Sequence, residues 1–238
     1  MKVLVSSQDS SSQGNHFPKH IAIIMDGNRR WARKQGLSII KGHRKVAEEL
    51  TEELADHCIK KGVKYLTLWA FSTQNWQRDP TEVRLVMNLF REMLEKNIDR
   101  LHQKGVKVTT IGDLSRFDQD IREKIEQGVE KTAQNKNLTL TFALNYGGRD
   151  ELLRAVNKLT GEVEITQEMI DQNLDTAHLP DPDLIIRPGG EKRLSGFLLW
   201  QSEYSELYFS DVLMPDFNAT KLDKAIAEFQ RRQRRFGR

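Results

Sequence analysis

The sequence predicts an α/β fold: a mostly parallel central sheet surrounded by helices. Two observations carry this. Apolar, strand-like runs alternate with segments of helical period along the chain, which implies right-handed βαβ units. Each strand-like run also ends in polar residues, several rich in glycine, as expected where an open sheet binds its ligand beyond the carboxyl ends of its strands.

The first run is "HIAIIMD" (20–26). A helix follows from about Gly42 to Lys61, with Val46, Leu50, Leu54 and Cys58 stacked at i+4. "VKYLTLWAFS" (63–72) is the second strand. The next helix begins near Pro80, at a first-turn position that suits proline, and ends before Gly105. Its apolar stripe, Val83, Leu85, Val86, Met87, Leu89, Phe90, Met93, Leu94, Ile98 and Leu101, is broader than a one-sided surface helix needs. It reads either as an ordinary core helix or as one wall of an apolar cleft. "VKVTTIGD" (106–113) and a helix near 118–135 come next. "LTLTFALNYGG" (138–148) leads to helices near 149–160 and 166–174. The last strands are 183–187 and "SELYFSD" (205–211), and a charged helix near 219–234 closes the chain.

At 238 residues the chain predicts one domain, 16–238, behind a disordered tail, 1–15, dominated by serine, glutamine and glycine. Lys+Arg is 37 against Asp+Glu 34, a net charge of +3, too balanced to predict nucleic-acid binding. The single cysteine, Cys58, excludes an internal disulfide framework and a cysteine-based zinc site, and points to a cytoplasmic protein. The N-terminal apolar patch is too short for a secretory signal, and no apolar run approaches a membrane span.

The strand ends carry the chemistry. The first gives Asp26-Gly27-Asn28-Arg29-Arg30. The second gives Ser72, Asn75 and Arg78. The third gives Gly112-Asp113, and the fourth Asn145-Tyr146-Gly147-Gly148-Arg149. The fifth gives Arg187-Pro188-Gly189-Gly190-Glu191, then Arg193 and Ser195. Arginine forks onto phosphate oxygens, and glycine lets backbone N–H groups approach an anion. Such a rim suits a phosphate or diphosphate. An aspartate suits that anion only when Mg²⁺ bridges them. Asp26-Gly27 is also an ordinary turn; five ends of one character favour the anion site. His43 opens a helix behind the Asp26 loop, as ligand contact or cap. Neither G-x-x-x-x-G-K-[ST] nor G-x-G-x-x-G occurs.

The motifs "HIAIIMDGNRRWA", "GH", "LTLWAFSTQNWQR", "IGDLSRF", "NYGGR", "LIIRPGGEKRLSGFLLWQSEYSELYF" and "RRFG" resemble, in the same order, those of the cis-prenyltransferases, and among these the bacterial undecaprenyl diphosphate synthases. The resemblance implies a parallel sheet of about six strands, an apolar tunnel between sheet and helices, and a homodimer. It implies stepwise condensation of isopentenyl diphosphate onto farnesyl diphosphate, with Mg²⁺, giving undecaprenyl diphosphate, the lipid carrier precursor for cell-wall polysaccharide. A shorter or longer cis-polyprenyl product is the alternative. The protein would be cytoplasmic, meeting the inner membrane face to release its product. The trans-type DDxxD motif does not occur.

By the same resemblance, Asp26 is the catalytic, Mg²⁺-engaging aspartate. Gly27, Asn28, Arg29, Arg30, Trp31 and His43 serve the allylic diphosphate. Ser72 and Asn75 position or remove the proton, with Trp76 and Arg78 in the same mobile segment. Arg187, Arg193 and Ser195 contact isopentenyl diphosphate, and Glu206 is a metal-associated glutamate near the dimer contact. Arg235 and Gly237 belong to a terminal Arg-x-Gly that reaches across the dimer. Ala70 and Leu138 line the tunnel, Leu138 near its far end. The chain departs from the pattern at Ile39, where many relatives have arginine, with Lys41 a candidate replacement. It also departs at Gln74, Pro188 and Gly196. An RNA- or partner-binding module, suggested by "RRQRRFGR", and a non-catalytic prenyltransferase subunit are the competing classes.

Overall fold

The computed structural model describes residues 17–161 and 164–232. Its sheet comprises β1 (His20–Ile24), β2 (Tyr65–Ser72), β3 (Val106–Ile111), β4 (Leu138–Tyr146), β5 (Leu184–Pro188) and β6 (Glu206–Ser210). The order is β3-β4-β2-β1-β5-β6, and every neighbouring pair is parallel. The expected sheet is therefore present, and it is wholly parallel among the described residues.

All five residues of β1 are buried, because helices cover both faces of a parallel sheet. On one side of β1 lie β2, β4 and the edge strand β3, with β4 inserted between β2 and β3; β5 and β6 lie on the other side. The winding reverses between β1 and β5, so the carboxyl ends of those two strands flank the natural ligand crevice.

The helices are α1 (Asn28–Lys34), α2 (Ile39–Lys45), α3 (Thr51–Lys61), α4 (Pro80–Gln103), α5 (Gln119–Thr132), α6 (Gly148–Lys158), α7 (Gln167–Asn173) and α8 (Ala219–Arg231). A π-helical turn, Val46–Leu50, joins α2 to α3. The single helix expected over 42–61 is thus two helices and an irregular turn. The predicted stack holds: Val46, Leu50, Leu54 and Cys58 are all buried against the sheet. α1 was not anticipated; it follows directly on the Asp26 loop.

α4 starts where Pro80 predicted. Asp79 caps it, accepting hydrogen bonds from the Thr81 and Glu82 amides. Its broad stripe divides. Val86, Met87 and Leu89 are buried, Leu85 is exposed, and Phe90, Met93, Leu94 and the buried Leu101 face an apolar cavity of about 110 Å³. Ala70, Phe142 and Leu144 of the sheet and Ile121 and Ile125 of α5 form its other walls. The stripe is thus partly core and partly cavity wall. Leu138 is buried on the same face of β4 as Phe142 but does not line this cavity.

Candidate active site

Asp26 stands two residues beyond β1. Its backbone is pinned on both sides: its amide donates to the Ile24 carbonyl at 2.8 Å, and its carbonyl accepts from the Met214 amide at 2.9 Å. Its Oδ1 accepts from Arg30 at 3.2 Å and its Oδ2 from Arg187 on β5 at 3.0 Å. Two glycines allow this approach. Gly27 has φ of 102°, and a Cβ there would sit 2.9 Å from the Leu213 side chain. Gly189 has φ of 100°, and its Cβ would lie 2.9 Å from Arg30 and 3.2 Å from the Asp26 carbonyl oxygen. Arg187 is only 6% exposed. It donates to Ser195 Oγ at 2.8 Å and to the Arg193 carbonyl, so one guanidinium ties Asp26 to the loop after β5.

Behind Asp26, Asn28 Nδ2 donates to the Met25 carbonyl at 3.3 Å and faces His43 Nδ1 at 3.4 Å. With Nδ1 as acceptor, the His43 proton sits on Nε2, which is buried without a partner. Burial, with Arg78 and Arg29 nearby, holds the His43 pKa down at about 4, so the ring is neutral at pH 7. Asn28 Oδ1, Arg29 Nε and Arg187 Nε are likewise buried and unpartnered. Such groups cost free energy unless a ligand uses them. Three of the four can only donate, so they call for acceptors, a role that diphosphate oxygens can fill. Glu82, which sequence reasoning did not single out, pairs with Arg78 at 3.1 Å and Arg29 at 3.6 Å with its side chain only 10% exposed. It is a carboxylate held between two of the rim's cations.

Ser72 ends β2 and caps the 3-10 turn Thr73–Gln77 that holds Asn75. Each caps the other: the Ser72 amide donates to Asn75 Oδ1 at 3.1 Å, and the Asn75 amide donates to the Ser72 hydroxyl. Trp76 donates from its indole to Asn145 Oδ1 at 2.8 Å. Its ring lies edge-on to Phe71 and Phe117, and the Arg116 guanidinium lies 4.7 Å from its centroid. In the sequence Asn145 reads only as part of a strand end.

Other expected residues lie elsewhere. Trp31 donates to Asp216 at 2.9 Å and carries Lys45 over its ring at 4.7 Å, a contact between α1, α2 and the segment after β6. The Arg193 side chain is exposed and pairs with Glu191. Glu206 opens β6, where the register aligns it with Leu184 and Ile21. It is therefore about five residues, roughly 16 Å, down the strand direction from Asp26, and it pairs with Arg232 at 2.8 Å. Within one chain Asp26 and Glu206 do not come together. Arg235 and Gly237 lie outside the described residues.

Among the described residues no three His, Cys, Asp or Glu side chains form a metal cage. Mg²⁺ does not require one: it binds through one or two carboxylates plus phosphate oxygens. Asp26, a partly exposed carboxylate beside unpartnered anion-seeking donors, fits that shared mode.

A family model described as "Putative undecaprenyl diphosphate synthase" matches residues 24–237. The chain belongs to the undecaprenyl diphosphate synthase family of prenyltransferases. Family members include an isoprenyl transferase of Clostridium perfringens, 50% identical over 229 residues, covering 93% of this chain and 90% of the relative. One from Neisseria gonorrhoeae is 48% identical over 235 residues, covering 98% and 94%. Two solved structures of prenyl diphosphate synthases share the fold. The lavandulyl diphosphate synthase of Lavandula x intermedia, solved with dimethylallyl diphosphate, has a TM-score of 0.89 at 34% identity, covering 93% of this chain and 99% of that one. A "probable undecaprenyl diphosphate synthase" of Campylobacter jejuni has a TM-score of 0.77 at 37% identity, with the same coverage. The protein is thus a prenyltransferase, and no described helix is long and apolar enough to cross a membrane.

Proposed function

We propose that the protein extends farnesyl diphosphate with successive isopentenyl diphosphate units, forming cis double bonds, and releases undecaprenyl diphosphate. The observation that carries this reading is a paired carboxylate, Asp26, on the same strand-end rim as buried unpartnered donors on Arg29, His43 and Arg187, in a fold whose strand β2 also lines an apolar cavity through Ala70. A diphosphate head and a hydrocarbon tail need those two environments.

In each cycle the allylic carbon–oxygen bond breaks and diphosphate leaves. Carbon 4 of isopentenyl diphosphate forms the new bond, and a proton leaves its carbon 2. Negative charge grows on the leaving group, so preorganised donors act most strongly in the transition state. Arg29, Arg30 and the His43 Nε2–H hold the allylic diphosphate. Arg187, Arg193 and Ser195 hold the isopentenyl diphosphate. Asp26 would hold Mg²⁺, which when bound neutralises charge on the departing diphosphate. Asn75 orients the proton acceptor, because an amide is a poor base. The growing tail enters the space behind Ala70, and α4 is its outer wall.

The working unit is a homodimer whose second chain brings Glu206 and the terminal Arg235 to Gly237 segment. It works in the cytoplasm against the inner membrane face. Incubating the pure protein with farnesyl and isopentenyl diphosphates and Mg²⁺, then weighing the products, tests the reading. A C55 product is expected; a shorter or longer ladder reassigns the chain length, and no condensation rejects the reading.

A further inference from the structure

We propose that Asn145 is a positioning residue for the Ser72–Asn75 turn, acting through Trp76; this rests on the prenyl-transfer reading above. Asn145 is 3% exposed, and its amide bridges two elements. Its Nδ2 donates to the Asp113 carbonyl after β3 at 2.7 Å, and its Oδ1 accepts from Trp76 Nε1 at 2.8 Å. One side chain at the end of β4 thus joins the ends of β2 and β3.

The backbone is adapted to this role. Asn145 has φ of 47°, in the left-handed region that asparagine tolerates best after glycine. It is the extra residue of a β-bulge: Phe71 pairs with Leu144, and Ser72 with Tyr146. A second irregularity, between Trp69 and Phe71, places Ala70 as the extra residue on β2. Bulges re-aim side chains and recur beside active sites. Here they turn Phe71 to the cavity side with Leu144, while Tyr146 packs with Trp69 on the other face. Gly147 lets the turn come close: a Cβ there would be 2.9 Å from Thr73 Oγ1.

Few side chains meet both demands. Aspartate tolerates the backbone but cannot donate to Asp113 when ionised. Glycine tolerates it and does neither. Leucine fails on all counts. Trp76 is the next residue after Asn75, so the Asn145 bond fixes the turn that holds both Ser72 and Asn75 where the proton is lost.

The test is a double-mutant cycle with Asn145→Gly, which relieves the left-handed backbone, and Trp76→Phe, which keeps the aromatic packing but removes the indole donor. Asn145→Gly should lower kcat roughly 10–100-fold, the scale of a small misplacement of catalytic groups, with KM for farnesyl diphosphate nearly unchanged. In the Trp76→Phe background the same substitution should cost less than about threefold. Asn145→Asp, which keeps the acceptor, should retain more kcat than Asn145→Gly. Wild-type kcat in folded Asn145→Gly, or an equal loss in both backgrounds, overturns the proposal. Absence of condensation by the wild-type protein would instead overturn the reaction it rests on.

Discussion

Asp26 and Arg187 meet at 3.0 Å across the neighbouring strands β1 and β5, at the point where the sheet reverses its winding. The pair sets both halves of the crevice. Asp26 also holds Arg30, and Arg187 also holds Ser195 and the Arg193 carbonyl. Removing the carboxylate deletes the acceptor that Arg30 and Arg187 share, and with it the group proposed to hold Mg²⁺. Asp26→Ala should lower turnover by roughly 10²–10⁴-fold, the scale of a positioned catalytic group. Its far-UV circular dichroism should remain that of the wild type. Near-normal kcat in the folded variant would refute the assignment.

Arg193 contributes in two separable ways. Its carbonyl accepts from Arg187, whereas its guanidinium is exposed and pairs with Glu191 in the same loop. Arg193→Ala keeps the carbonyl. KM for isopentenyl diphosphate should rise about tenfold or more, the worth of a hydrogen bond to a charged group, with a smaller change in kcat. Steady-state kinetics with isopentenyl diphosphate varied reads this directly; an unchanged KM removes the contact.

Leu138 pairs with Val106 at the amino-terminal ends of β4 and β3, on the cavity face but beyond the cavity's present walls. Leu138→Ala should open space at that end and lengthen the products. It should also destabilise the fold by about 2–5 kcal/mol, the usual cost of a large-to-small core change. Ala70→Leu, at the cavity wall, should shorten them. Product mass distributions unchanged in both variants would show that neither residue bounds the chain.

His20 is 2% exposed and satisfied while neutral: Nδ1 donates to the Pro180 carbonyl at 2.6 Å and Nε2 accepts from the Thr67 hydroxyl at 2.8 Å. Burial holds its pKa down at about 4 against an ordinary 6.5. The unfolded chain therefore binds more protons between those values, and stability falls as pH drops from about 6.5 to 4. The loss attached to His20 is about 3 kcal/mol. Urea unfolding at pH 7 and pH 4.5 should show a shallower pH dependence for His20→Gln than for the wild type. An identical dependence would assign it to other groups.

What could be read in advance follows from how local each signal is. β1 and β5 are continuous buried runs closed by Asp26 and Arg187, so apolar length and polar punctuation were enough. Pro80 announced α4 within one turn of chain, and Asp79 caps it. α1 hid because its seven residues carry three arginines and a lysine behind Gly27, a pattern that reads as loop. The π turn at Val46–Leu50 left no mark in a sequence whose i+4 apolar stack runs straight through it. Sheet order was invisible for the same reason that Trp76–Asn145 was: the partners are 69 residues apart, and only the assembled sheet brings their strand ends together. Glu82 looked like a first-turn helix acid, and only its contacts with Arg29 and Arg78 mark it as part of the rim.

Inorganic diphosphate release by the wild type and by Asp26→Ala, with both prenyl substrates and with or without Mg²⁺, tests the central claim most directly. The crevice built on Asp26 and Arg187 predicts rapid release by the wild type only when both substrates and Mg²⁺ are present, and little from Asp26→Ala under any condition. Release that is indifferent to Mg²⁺, or equal in the two proteins, would contradict it.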